Sequence, residues 1–128
     1  MYRRNLDNID IVGCIRKDPY LCVLPKGTPH KKENIQQTAL REVREETGLK
    51  VKPECFIGKI EYTFFKKEEK LTYYKKVYFF LMSVVGGGLF LHDDEFDLVK
   101  WIPREQIRAE MSYENEVNII EKGISMVD

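Results

Sequence analysis

Glu42, Glu45 and Glu46 stand in the run Arg41-Glu42-Val43-Arg44-Glu45-Glu46-Thr47-Gly48-Leu49. On a helix, positions i, i+3 and i+4 gather side chains on one side of the axis. Like charges so placed repel, by ~1 kcal/mol per pair in water and several-fold more beside a low-dielectric surface. A divalent cation removes that cost. Clustered carboxylate oxygens suit a hard ion such as Mg²⁺, which commonly takes substrate phosphates as further ligands. These residues therefore point to metal-assisted chemistry at phosphate. The plain alternative is a solvated acidic face, or a partner-binding surface, lying opposite the apolar stripe of its helix.

The helix that carries them is well punctuated. Asn34 is an N-cap with Gln37 three residues on, a capping-box pattern, and Gly48 suits the C′ position. A helix over Ile35–Thr47 is predicted. At about 100° per residue, Ile35, Ala39, Leu40, Val43 and Thr47 form the expected buried stripe, with Gln37, Arg41 and Arg44 pointing away. Glu46 projects between Ile35 and Ala39 at the edge of that stripe, Glu42 lies just outside it, and Glu45 lies further round. Carboxylates beside a buried stripe favour a built site over a solvated face.

Around the helix the pattern is that of strands. Ile9–Ile15 and Tyr20–Leu24 read as two strands, with Pro19 in the turn between them and Pro25-Lys26-Gly27 ending the second. Phe56–Phe65 and Leu71–Val85 read as a long hairpin, broken by Gly86-Gly87-Gly88. Leu89–Leu91 is expected to resume as a short strand, followed by the acidic loop His92–Asp97 and a strand at Leu98–Ile102. Pro103 opens a turn or helix start, and Glu114–Lys122 is an amphipathic helix stopped by Gly123. The order predicts an α+β layered domain with a mixed sheet, a single domain spanning residues 1–128.

Composition narrows the partners. Lys+Arg and Asp+Glu number 21 each, so no global field advertises nucleic acid or membrane binding. Cys14, Cys22 and Cys55 have no paired spacing. The first two sit in apolar runs, as buried thiols of a reducing compartment would. There is no signal-peptide pattern and no apolar run of bilayer length, so the cytoplasm is expected. His30 and His92 read as loop residues and Trp101 as packing. Tyr62, Phe64, Tyr73 and Tyr74 offer surfaces for a nucleobase, although aromatic residues in strands more often pack across the sheet.

The residues from Gly27 to Leu49 follow the pattern G-x5-E-x7-R-E-U-x-E-E-x-G-U, with Val43 and Leu49 at the aliphatic U positions. This chain resembles the Nudix hydrolases, in particular the MutT-like and bacterial dinucleoside polyphosphate hydrolase-like members. The resemblance implies an α/β/α sandwich and Mg²⁺- or Mn²⁺-dependent cleavage of nucleoside diphosphate linkages. It implies that Glu45 and Glu46 are the main metal ligands, that Glu42 binds metal or activates water, and that the Gly27 carbonyl completes the coordination sphere. Glu33 and Arg41 match a pair in which the arginine orients a carboxylate. Glu95 is the implied late ligand or base, with Asp93, Asp94 and Asp97 nearby as substitutes. Lys26 is placed to bind a substrate phosphate.

The sequence departs from the family where Glu-Pro-Gly-Glu often leads into the helix, since His30-Lys31-Lys32-Glu33 stands there instead. A basic loop beside the site favours a highly charged substrate. The expected substrates are nucleoside polyphosphates, dinucleoside polyphosphates first. Modified nucleoside triphosphates come second, 5′-end trimming of RNA is disfavoured, and a nucleotide sensor without turnover is the non-enzymatic alternative.

Overall fold

The structure is a computed structural model that describes residues 1–27 and 29–127. Its strands are β1 (Tyr2–Asn5), β2 (Asn8–Lys17), β3 (Tyr20–Val23), β4 (Leu49–Lys66), β5 (Leu71–Gly87) and β6 (Leu98–Pro103). They form one sheet in the order β3-β2-β1-β5-β4, with β6 paired to β2. β1 runs parallel to β5 and the other pairings are antiparallel, so the sheet is mixed as expected. The helices are α1 (Ile35–Thr47), α2 (Ile107–Glu110) and α3 (Glu114–Val127).

Alternation along β2 divides the core. Ile9, Ile11 and Ile15 join Val117, Ile119, Ile120 and Ile124 of α3 in one cluster, while Val12 and Cys14 join Leu49, Phe96 and Val99 in another. Successive side chains of a strand point to opposite faces, so the two clusters lie on opposite sides of the sheet. Cys14 and Cys22 are buried and Cys55 is exposed; all three are free thiols. Burial pushes the Cys22 thiol up to about 11. No helix among the described residues is long and apolar enough to cross a membrane.

Helix α1 has the expected bounds. Asn34 Oδ1 accepts the Gln37 N–H at 2.8 Å, Gln37 Oε1 accepts the Asn34 N–H at 2.9 Å, and Gly48 closes the helix in the left-handed region at φ 78°. Its buried arc differs from the expected stripe. Ile35 is exposed, Ala39 and Leu40 are half-buried, and Thr38, Val43, Glu46 and Thr47 are buried. On a helical wheel this puts Glu46 near the middle of the buried arc instead of at its edge.

Three other expectations need correction. Leu89–Leu91 forms a single 3₁₀ turn, not a strand, and Phe90 stands 85% exposed. Strand β4 begins at Leu49, seven residues before the expected start at Phe56. It carries Pro53, which an edge strand tolerates because the missing N–H faces no partner. Gly123 does not stop the last helix. It is buried, and a Cβ there would meet Ile57 Cδ1 at 3.0 Å, so the missing side chain lets α3 approach the sheet.

Candidate active site

Glu46 is 2% exposed. Its Oε2 accepts the backbone N–H of Lys26 at 2.8 Å, and among the described residues no cationic side chain pairs with it. Burial pushes its carboxyl up to about 8; the Lys26 N–H opposes the rise, and the charges of Glu42, Glu95 and Asp93 add to it. Glu42 lies against Gly27 so closely that a Cβ on Gly27 would overlap the carboxylate. Burial likewise raises the Glu42 carboxyl above the usual range, against the influence of Arg41.

Arg41 gathers the remaining carboxylates. Its Nε and Nη2 donate to Glu33 Oε2 and Oε1 at 2.7 and 3.1 Å, a bidentate pairing. Nη1 lies 2.5 Å from Glu42 Oε1 and 3.2 Å from Glu45 Oε2. The expected Glu33–Arg41 pair is thus formed, and the arginine touches two of the three acidic helix residues besides. Glu33 also accepts the His30 N–H at 2.7 Å and the Thr38 hydroxyl at 3.1 Å. The Arg41 guanidinium, followed by the His30 N–H, holds the Glu33 carboxyl down at about 2.

Glu46 and Glu95 line one cleft of about 550 Å³, whose walls include Lys26, Arg16, Glu116 and the rings of Tyr62, Phe64, Phe96 and Tyr113. A smaller cavity of about 120 Å³, lined by Ile9, Ile57, Phe79 and Ile120 among others, belongs to the core and carries no carboxylate. The loop bearing Glu95 is tied to the end of α1, since the Asp93 N–H donates to the Glu45 carbonyl at 2.8 Å. Glu95 itself is half-exposed, 3.5 Å from Arg16 Nη2. Phe64 stacks on Tyr73 at 5.4 Å, continuing the aromatic wall, whereas Tyr74 stands exposed. Trp101 packs in the core under Arg3, as its packing role requires.

Lys26, the expected phosphate contact, lines the cleft of Glu46 and Glu95. Its ammonium lies 2.5 Å from Glu116 Oε2, a carboxylate buried in α3. Glu116 and Arg16 escaped the sequence reading. For Glu116 a signal existed, because it is in helical phase with Ile119, Ile120 and Gly123, all buried. Arg16 offers no comparable signal.

Among the described residues no three His, Cys, Asp or Glu side chains already converge as a coordination sphere. Glu42 and Glu45 face Arg41 instead. The donor chemistry nonetheless fits a hard divalent cation. Glu46 is a buried carboxyl lacking a cationic side chain, one that a bound cation would hold ionised, and Glu42 is seated in the hollow that Gly27 leaves.

A mixed sheet, a capped acidic helix and a glycine cradle at a cleft define the class. The chain matches the NUDIX domain over residues 10–122 and belongs to that family. It is 33% identical over 113 residues to a protein of Mycobacterium tuberculosis named as a mutator protein, MutT4. That similarity covers 88% of this chain and 45% of the relative, so the chain spans under half of the relative's length. Its fold is similar to a binary complex of the C. elegans Ap4A hydrolase, with a TM-score of 0.71, 20% identity and coverage of 98% and 92% of the two chains. It is also similar to a NUDIX hydrolase from Nitrosomonas europaea, at a TM-score of 0.67, 24% identity and coverage of 96% and 84%. These structural likenesses speak for the fold, which is of the expected α+β type.

Proposed function

We propose that residues 1–128 act as one Nudix domain that hydrolyses a phosphoanhydride bond in nucleoside polyphosphates, using Mg²⁺ or, in its place, Mn²⁺. The observation that carries the reading is Glu46, a buried carboxyl that accepts one backbone N–H, from Lys26, and faces a large cleft beside Glu42 and Glu95. Glu42, Glu45 and Glu46 would hold the cation, with Glu95 and the Gly27 carbonyl completing its ligands. When bound, the cation neutralises phosphate oxygens and makes a water nucleophilic. Arg41 orients Glu42 and Glu45, and Glu33 fixes Arg41 from behind. Tyr62, Phe64 and Phe96 offer planar surfaces to a nucleobase along the same cleft. Three free cysteines fit a reducing, cytoplasmic setting.

Dinucleoside polyphosphates are the first substrate class, because the exposed Lys31 and Lys32 lie in the loop leading to the acidic helix and favour a long polyphosphate. Modified nucleoside triphosphates are the second reading, favoured by the relative named for a mutator role. The test is a panel of both nucleotide classes incubated with the purified protein, with and without Mg²⁺, and products resolved by chromatography. Mg²⁺-dependent cleavage of a phosphoanhydride supports the proposal. Nucleotide binding without any product would reveal a sensor, and neither binding nor product would sink both readings.

A further inference from the structure

Glu116 is 3% exposed, and both of its carboxylate oxygens are engaged. Oε1 accepts the Leu24 N–H at 2.7 Å, and Oε2 meets the Lys26 ammonium at 2.5 Å. Both partners belong to residues 24–27, the irregular stretch after β3. That stretch also presents the Lys26 N–H to Glu46 and the Cα of Gly27 to Glu42. A run of direct contacts therefore leads from α3, through Lys26, to two of the helix carboxylates.

A buried ion pair is a poor way to stabilise a fold, because apolar residues of equal volume serve as well or better. What it supplies is direction. Residues 24–27 have no ladder of backbone hydrogen bonds to locate them, so side chains must do it. The same lysine is held at both ends, its ammonium by Glu116 and its amide by Glu46.

We propose that Glu116 is a positioning residue for the metal site, an inference that rests on the function proposed above. By holding the Leu24 N–H and the Lys26 ammonium, it sets where the Lys26 amide and Gly27 stand, and hence where Glu46 and Glu42 stand. Lys26 acts here as the link in that chain.

The deciding variant is Lys26→Met/Glu116→Gln. The amide keeps an acceptor for the Leu24 N–H, methionine fills most of the space of the lysine stem, and no charge is left stranded. Three quantities are measured against wild type: the thermal midpoint, the Mn²⁺ dissociation constant without nucleotide by electron paramagnetic resonance, and kcat and KM at saturating Mg²⁺. The expected result is a near-unchanged midpoint, with Mn²⁺ affinity and kcat each lowered about tenfold or more. A rise in KM alone, at wild-type Mn²⁺ affinity, overturns the proposal, because Lys26 and Glu116 also line the cleft offered to the nucleotide. Wild-type Mn²⁺ affinity and kcat in the double variant overturn the proposal. Should that variant not fold, Lys26→Arg replaces it: altered Mn²⁺ affinity at a native thermal midpoint supports the proposal, and unaltered affinity overturns it. Wild-type protein that neither binds Mn²⁺ nor cleaves any nucleotide overturns the enzymatic function itself, and the positioning role falls with it, so the two failures are told apart.

Discussion

The Cα of Gly27 lies against the carboxylate of Glu42, leaving no room for even a methyl group between them. Because Glu42 belongs to a capped, rigid helix, the substituted turn or the carboxylate would have to move. Gly27→Ala is expected to lower turnover by about a hundredfold, the order of loss for a misplacement of about 1 Å at a reacting centre. Circular dichroism should stay native, since the glycine supports no core packing. Wild-type turnover in this variant would remove Gly27 from the site.

Glu46→Gln separates function from stability. The amide oxygen still accepts the Lys26 N–H, so the hydrogen bond survives while the group that can ionise goes. With its carboxyl pushed up to about 8, Glu46 is largely protonated near neutral pH when no metal is bound, and ionising it at higher pH costs folding free energy. In the presence of a chelator the variant should therefore melt at or above the wild-type temperature by scanning fluorimetry, while its Mg²⁺-dependent turnover drops by orders of magnitude. A variant that melts well below wild type would mean that the carboxyl stabilises the fold in its own right and does not serve a metal.

The Glu33–Arg41 pairing has a pH signature. The Glu33 carboxyl is held at about 2 in the folded protein against an ordinary value of 4.5. Between those values the unfolded chain binds more protons, so stability rises with pH. The contribution is fully present above about 4.5 and is lost as pH falls through about 2. Glu33→Gln should flatten this acid limb in a series of thermal melts from pH 2 to pH 5.5, pH values bracketing the two limits. Parallel curves for the two proteins would contradict the pairing.

Gly13 tests packing apart from chemistry. A Cβ there would come within 2.5 Å of Ile102 Cδ1 and 3.1 Å of Cys22 Sγ, both in the core. Gly13→Ala should cost about 1–3 kcal/mol by urea unfolding, the range for overpacking a close-packed interior. Specific activity per folded molecule should remain that of wild type.

What the sequence made legible was mostly local. The capping pair Asn34 and Gln37, the closing Gly48 and the Glu33–Arg41 match all lie within sixteen residues, and the structure forms each of those contacts. β1 was hidden because Arg3, Arg4 and Asn5 are exposed and polar, leaving no apolar alternation to read. The early half of β4 was masked by its alternating Lys50, Lys52 and Glu54 and by Pro53, which only its edge position explains. Leu89–Leu91 looked like a strand by composition, yet its apolar side chains are not buried. The partner of Lys26 could not be read from spacing, because Glu116 reaches it across the fold from the last helix.

That long reach bears on how the protein comes into being. Glu116 meets Leu24 across 92 positions of chain, so the stretch facing the acidic helix has all its contacts only once the C-terminal segment has docked. A nascent or clipped chain lacking α3 would hold every residue of the acidic motif and still leave residues 24–27 unanchored. Losing that final helix would take Val117, Ile119, Ile120 and Ile124 out of the core along with the Glu116 contacts.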